Sequence, residues 1–311
     1  MAKVMKMRNF TGKKKVFFTI SIILVACSLL LTVFGVELAI EFKGGTIVTY
    51  GYEGDMDPNS AKSDIESIVN TTINIQQGDS MNSDSKTITI SFSSNEGLSA
   101  EKQGELTTKL QEKFEGNKIE LLDSNDVSPS SGKEFFLKCL VAVLFAALLL
   151  ILYIAFQFKK ISGWSSGVFA IIALLHDVII TYGFFIACRF EINANFMAVV
   201  LTIFGCSINN TIVVYDRIRE NRKLMGRVTM NELVNTSINQ SLTRSIRTSV
   251  STVSSMVIIC VVSYVCGVTS ILSFAFPMII GMAIGTYSSL FLAPTLWLAW
   301  QQRGGNAQKR A

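Results

Sequence analysis

Six apolar runs of about 20 residues or more constrain this chain more than any other feature. At 1.5 Å of rise per residue, about 20 helical residues cross the hydrocarbon core of a bilayer. The runs lie at 16–36, 135–158, 164–187, 195–215, 247–266 and 272–300. They predict an α-helical integral membrane protein with six transmembrane helices. A chain of 311 residues, half of them hydrophobic, could equally be a large globular domain; the clustering decides for the bilayer. The last run contains Pro277 and Pro294, so a kink or tilt is expected there. The first follows a basic tail, as in a cleaved leader. It is longer than a leader's apolar core and lacks an Ala-x-Ala end, so an uncleaved helix is expected.

Charge sets the orientation. The tail to Lys15, the turn at Lys159 and Lys160, the expected loop from Asp216 to Arg247 and the end after Trp300 hold 18 of the 28 Lys and Arg residues. Six alternating helices put all four on one side, which the positive-inside rule makes cytoplasmic. Both termini are therefore expected inside. The segment from Glu37 to Lys138 holds nine Lys against 18 acidic residues, a net charge of −9, and is expected outside. The basic residues flank apolar spans instead of forming a stripe, which argues against nucleic-acid binding.

The outer segment alternates strand and helix signals. ELAIEFKGGT leads into an alternating run through Ile47, Val48 and Tyr50, interrupted by Gly44 and Gly45. Those glycines mark either a strand bulge or a place where backbone packs closely over the membrane bundle. Ala61, Ile65 and Ile68 follow at helical spacing, then strands at 72–76 and 86–92, a helix from Ser99 to Gly116, and a strand at 118–122. This β-α-β-β-α-β order is the split βαβ, or ferredoxin-like, pattern. VSPSSGK at 127–133 reads as a linker and hinge back to the membrane. The expected organisation is a cytoplasmic tail at 1–15, the first helix at 16–36, an α+β ferredoxin-like extracytoplasmic domain at 37–134, a five-helix bundle at 135–300 and a tail at 301–311.

Polar residues inside the spans are the candidate functional groups, since an unpartnered polar group in lipid is costly and usually faces a bundle interior or a water path. Ser207, Asn210, Thr211 and Val214 share one face of the fourth span. Asp216 and Arg217 follow at its basic exit. His176 and Asp177 lie mid-span in the third helix, as a functional titratable pair or as a helix-packing clamp. The fifth span, rich in hydroxyls, begins near Arg244 and Arg247; its Ser and Thr residues suit close packing or a water file. Gly281 and Gly285 form a small-residue packing face. The six cysteines fall in or at the ends of apolar spans, as fillers and not as a disulfide framework. With one histidine in the chain, no His-based metal site is expected. No nucleophile and base pair or phosphate loop is visible, so no enzyme, catalytic residue or cofactor is expected.

The run FGCSINNTIVVYDRIRENR at 204–222 resembles the signature of the SecF family, the smaller partner in the SecD–SecF accessory complex of bacterial protein export. FKGGT at 42–46, VSPSSGKE at 127–134, HDV at 176–178 and NQSLTRSIRTS at 239–249 extend the likeness over almost the whole chain. The family motif covers Gly44, Gly45, Thr46, Asn209, Asp216 and Arg217. Where the family usually carries Asp, in SIND, this sequence has Asn210. The resemblance implies a subunit of the Sec translocase accessory complex, related to the resistance-nodulation-division superfamily, that assists export using a proton or sodium gradient. It implies SecD as heterodimeric partner, the SecY–SecE–SecG channel and the translocating polypeptide as associates, and the cytoplasmic membrane as the site. It also implies an ion-coupling or polar relay through position 210, Asp177 and Arg244; outside the family pattern, Arg247 adds a second positive charge nearby and Ser207 shares the face of Asn210. An Asn at 210 cannot titrate, so the relay does not carry over whole. The alternative is half of a resistance-nodulation-division efflux transporter, whose complete form duplicates a six-helix unit within one chain.

Overall fold

The computed structural model describes residues 7–54, 60, 62–69, 71, 73–79, 85–92, 99–158, 163–226, 228–265 and 269–308. The turn at 80–84, Lys159 and Lys160, and Cys266 lie outside the described residues. Among the described residues, six helical stretches are long and apolar enough to cross a membrane. They comprise α1 (Lys14–Leu31, with short 3₁₀ turns at either end), α5 (Pro129–Gln157), α6 (Gly163–Ala187), α7 (Ala194–Leu224), α8 (Met230–Val265), and a last stretch of α9 (Thr269–Tyr287) and α10 (Ala293–Gln308). α6 and α7 form the middle of the bundle, with half or more of their apolar windows buried against 6–11% for α1, α5 and α8. Phe185, Phe196, Phe204, Tyr215 and Trp297 fill that interior. Large apolar side chains such as Leu144, Leu148, Ile258 and Val262 point outward from α5 and α8, as they do on a lipid-facing or partner-facing wall.

Between α1 and α5 the chain folds an α/β unit: α2 (Ile40–Lys43), β1 (Gly45–Glu53), α3 (Lys62–Val69), β2 (Ile73–Asp79), β3 (Ser85–Phe92), α4 (Ala100–Lys113) and β4 (Glu120–Val127). The sheet order is β2-β3-β1-β4, every neighbouring pair antiparallel. Val48, Tyr50 and Tyr52 alternate onto one face and pack with Ile88, Ile90, Ile65, Leu106 and Leu110. That face is apolar at a period of two on the strands and at helical spacing on α3 and α4, which is why the layers close on each other. Ser99 caps α4 by accepting from the Lys102 amide.

Several boundaries differ from the sequence reading. VSPSSGK is not a linker: Val127 ends β4, Ser128 is the N-cap of α5, accepting from the Ser131 amide, and Pro129 takes the first helical position, where its missing N–H costs nothing. The last strand runs to Val127, well beyond Leu122, because Gly45 through Thr49 of β1 supply partners along that length. The stretch from Asp216 to Arg247 is almost entirely helix, as α7 continues to Leu224 and α8 starts at Met230. The bundle therefore projects past the apolar windows on that side. α10 likewise runs on past Trp300.

The α/β unit is mounted on the bundle by backbone contacts. Gly44, at φ +86°, ends α2, and a Cβ there would lie 2.6 Å from the backbone of Pro129. A Cβ on Gly132 would lie 2.8 Å from the Phe42 carbonyl oxygen. Gly44 and Gly132 thus permit close approach of the unit to the base of α5, which for Gly44 is the second of the two roles expected of the glycine pair. Thr46 donates to Asp126 Oδ1 at 2.6 Å, pinning β1 to β4 at the same place. A second tie runs through the turn between α6 and α7, where Ile192 donates its amide to the Glu37 carbonyl and accepts from the Ala39 amide. Ala194 N–H also reaches Glu41 Oε2 at 2.9 Å.

Candidate functional site

Asp177 of α6 is fully buried and is the only buried carboxylate among the described residues. Its surroundings are built by three helices. From its own helix, His176 Nδ1 lies 3.0 Å from Oδ1. From α7, Ser207 donates its hydroxyl to Oδ2 at 2.8 Å, and from the last stretch Ser288 donates to the same oxygen at 2.7 Å. Ser289 closes the group by donating to the Ser207 carbonyl at 2.8 Å, its oxygen 3.0 Å from Ser207 Oγ. A carboxylate removed from water is tolerable only when such donors surround it.

The last stretch delivers two consecutive serines because its helix is irregular there. Pro294 has no N–H, and its ring clashes with the carbonyl four residues back in a regular helix. The chain relieves this with a π-turn over Ser288–Leu292, in which the Ala293 amide bonds to the Ser288 carbonyl. Such wide turns recur at functional sites. Gly285 keeps the wall open: a Cβ there would sit 3.3 Å from the Ser207 Cβ and 3.5 Å from Asp177 Oδ2. Gly281, one turn earlier, makes room for Ile203, whose Cδ1 would lie 2.1 Å from an added Cβ. The expected small-residue face is therefore a packing face with a polar side.

Asn210 lies one turn beyond Ser207, buried, and donates to Ser249 Oγ of α8 at 3.4 Å. Ser249 also accepts from Thr286 at 2.7 Å. These groups line a cleft of about 70 Å³ between α7, α8 and α9, with Ser207 at its inner wall and Asn209 at its exposed rim. The structure thus brings together Asp177, Ser207 and Asn210 along one polar seam. It does not bring in Arg244 or Arg247. Both are exposed on α8, and among the described residues neither side chain has a hydrogen bond or ion pair, although the Arg244 carbonyl accepts from Thr248 Oγ1. The reason is helical phase: α8 is continuous from Met230, and Ser245 and Ser241, not the arginines, face its packed side.

Asp216 and Arg217 serve a different place. Asp216 pairs with Arg219, whose guanidinium lies over the Phe158 ring. Arg217 donates to Gln240 Oε1 at 2.6 Å, and buried Asn221 donates to Gln240 and to Ser237. This network ties α7 to α8 beyond the apolar windows, and Asn235 and Asn239 extend it to the backbone of Arg8 and Phe10. Ser288 and Ser289 are the functional candidates that the sequence reading missed. Their signal was Pro294, six residues downstream of a serine pair.

Comparison with known proteins identifies the family. The family described as protein export membrane protein SecD/SecF, C-terminal, matches residues 106–303. The protein translocase subunit SecF of Calditerrivibrio nitroreducens is 34% identical over 93% of this chain and 92% of its own. The translocase subunit SecDF of Bacillus subtilis is 32% identical over 95% of this chain but 38% of its own. The crystal structure of SecDF, a translocon-associated membrane protein from Thermus thermophilus, superposes with a TM-score of 0.79 at 31% identity over 97% of this chain and 40% of that one. The chain thus spans about two fifths of each SecDF protein and nearly the full length of the SecF relative. This chain belongs to the SecD/SecF family of protein-export membrane proteins, and it matches a SecF subunit over nine-tenths of both chains.

Proposed function

We propose that this protein translocase subunit works as one half of a SecD–SecF accessory complex, assisting the export of polypeptides across the cytoplasmic membrane at the expense of a proton or sodium gradient. The observation that carries the reading is the coverage. The chain aligns with about two fifths of relatives named SecDF and with nine-tenths of a relative named SecF, which supports reading it as the SecF half of such a complex. The outward apolar walls of α5 and α8 supply surface for such a partner and for lipid. The basic exits of α5, α7 and the last stretch argue for cytoplasmic termini and an extracytoplasmic α/β unit. The strand order and uniformly antiparallel pairing of that unit support the ferredoxin-like reading. In this reading the unit engages the emerging polypeptide, and the SecY–SecE–SecG channel lies beside the complex.

The test is co-purification of the tagged full-length chain from its native membrane in mild detergent. Recovery of SecD and of the channel subunits is the expected result. Recovery of a homomer that confers resistance to small toxic compounds and brings down no channel would instead support half of an efflux transporter.

A further inference from the structure

A second cavity, of about 430 Å³, lies where the α/β unit meets the turn between α6 and α7. Its charged lining comes from three places in the chain: Glu37 and Lys43 follow α1, Lys62 begins α3, and Arg189 and Glu191 belong to the α6–α7 turn. Asn74 of β2 donates to Glu191 Oε1 at 2.5 Å. The side chains of Glu37, Lys43, Lys62 and Arg189 have no hydrogen bond or ion pair among the described residues. Arg189 follows the end of α6 in left-handed backbone, φ +54°, where glycine is the commoner residue. Its side chain is thus held at the cavity at a conformational cost.

These charges sit at one level. α1 and α6 end beside them and α7 begins there, so the cavity lies where apolar helix gives way to polar chain, the level at which a bilayer passes from hydrocarbon to headgroups. On the hydrocarbon side the face of α1 is bare: Leu30, Val33 and Phe34 are 65%, 83% and 85% exposed, and Phe34 lies just before Glu37 in sequence. Acyl chains laid along that face bring a headgroup to Glu37. The cavity is within the size range of small-molecule sites, about 300–1,000 Å³. Its charge is mixed, three cations against two carboxylates, so neither a simple anion nor a simple cation complements it. A ligand that carries both signs does.

We infer that this cavity takes the headgroup of a phospholipid carrying both a phosphate and a primary ammonium, the phosphatidylethanolamine class, with its acyl chains along α1. The phosphate meets Arg189, Lys43 and Lys62, whose N–H groups suit its oxygens. The ammonium donates to Glu37 and to the Glu191 oxygen that Asn74 does not use. A phosphatidylglycerol headgroup supplies no cation for the two carboxylates, and a phosphatidylcholine headgroup supplies one with no N–H to donate. Lys62 belongs to the α/β unit, whereas Arg189 and Glu191 belong to the bundle. One headgroup therefore spans the joint, and the lipid braces the unit against the bundle. The inference goes beyond the export role and rests only on the six helices crossing a bilayer.

The experiment is native mass spectrometry of the purified full-length chain in mild detergent, with phosphatidylethanolamine, phosphatidylglycerol or phosphatidylcholine of identical acyl chains added in turn. Wild type is expected to retain phosphatidylethanolamine about tenfold better than either of the others. Arg189→Gln is expected to weaken that binding about tenfold, and Glu37→Gln to erase the preference over phosphatidylcholine. Lys223→Gln, at the opposite end of α7, should leave all three lipids unchanged. These three side chains are exposed, so the substitutions remove no buried contact. Glycerophosphoethanolamine, the same headgroup without acyl chains, is expected to compete only at a concentration about a hundredfold or more higher. Equal retention of the three lipids, or equal loss in Arg189→Gln and Lys223→Gln, means general charge attraction and overturns the site. A preference kept in Glu37→Gln removes the ammonium contact and with it the headgroup class. Equal potency of the chain-free headgroup makes this a site for a soluble phosphate ester and overturns the lipid. Release of the chain from its native membrane by alkaline carbonate would separately refute the membrane reading on which the site rests.

Discussion

Replacing Gly44 with Ala tests how tightly the α/β unit is fixed to the bundle, and the chain contains its own control. Gly44 has φ +86° and ψ 154°, and Gly35, just past the 3₁₀ turn that ends α1, has φ +95° and ψ 143°. Both conformations belong to the region that only glycine occupies readily, at a cost of about 1–3 kcal/mol for another residue. Around Gly35 nothing lies within 4 Å of an added Cβ, whereas at Gly44 the Pro129 nitrogen and Cα lie at 2.6 Å. Those atoms are backbone at the first turn of a long helix and cannot rotate aside. Overpacking of this kind adds about 1–3 kcal/mol. Gly35→Ala should therefore lose about 1–3 kcal/mol locally and Gly44→Ala about 2–6 kcal/mol. Hydrogen exchange reads the difference, since local opening accelerates tenfold per 1.4 kcal/mol. The Gly44 and Gly132 amides, bonded to the Ile40 and Ser128 carbonyls, should exchange roughly 30-fold to 10⁴-fold faster in Gly44→Ala. Gly35→Ala should leave them unchanged and accelerate only its own neighbourhood. Gly104→Ala, in an open helical position of α4, should stabilise that helix by about 0.5–1 kcal/mol. Equal and purely local effects at Gly35 and Gly44 would show that the contact with Pro129 is loose and would sink the argument for a tight joint.

Two further outcomes follow from buried polar groups. Burial raises the pKa of Tyr50 above its ordinary value, the hydrogen bond to Thr107 opposing this more weakly, so above about pH 10 the unfolded unit loses that proton first. The α/β unit should lose stability as pH rises past about 10, and Tyr50→Phe should flatten that slope; an unaltered slope in urea titrations would place the cause elsewhere. Asn221→Ala removes both bonds to Ser237 and Gln240 and should cost about 1–3 kcal/mol, seen as a lower thermal midpoint of the purified chain, with no change meaning that α7 and α8 are held by packing alone.

The parts legible in the sequence were those governed by one simple period or length. Apolar windows of about 20 residues located the six helices that are long and apolar enough to cross a membrane among the described residues, and the alternating run through Ile47, Val48 and Tyr50 located the central strand. Depth in an apolar span singled out Asp177, Ser207 and Asn210, which the fold does place on one seam. Helix ends past the membrane were misjudged because charged residues there look like loop, although no Pro or Gly interrupts 210–225. Ser128 and Pro129 formed an N-cap and first-turn signal that was read as a linker. Arg244 and Arg247 depended on the rotational phase of α8, which only its neighbours determine. Ser288 and Ser289 were hidden because adjacent residues on a regular helix point about 100° apart; the π-turn changes that, and a 3.6-residue period gives no view of it.

The junction of β4 with α5 has a mechanical consequence. One residue, Ser128, separates a strand that β1 pairs from Glu120 to Val127 from a helix of 29 residues. A helix of that length measures about 43 Å at 1.5 Å per residue. With Gly44 and Gly132 closing the joint from the other side, the sheet and the helix make a crank with its elbow at Ser128. A rotation of the sheet by about 5° that is carried through the elbow sweeps the opposite end of α5 by about 4 Å. Pulling on the α/β unit and reshaping the far side of the bundle are then one motion, and force applied at either end is felt at the other.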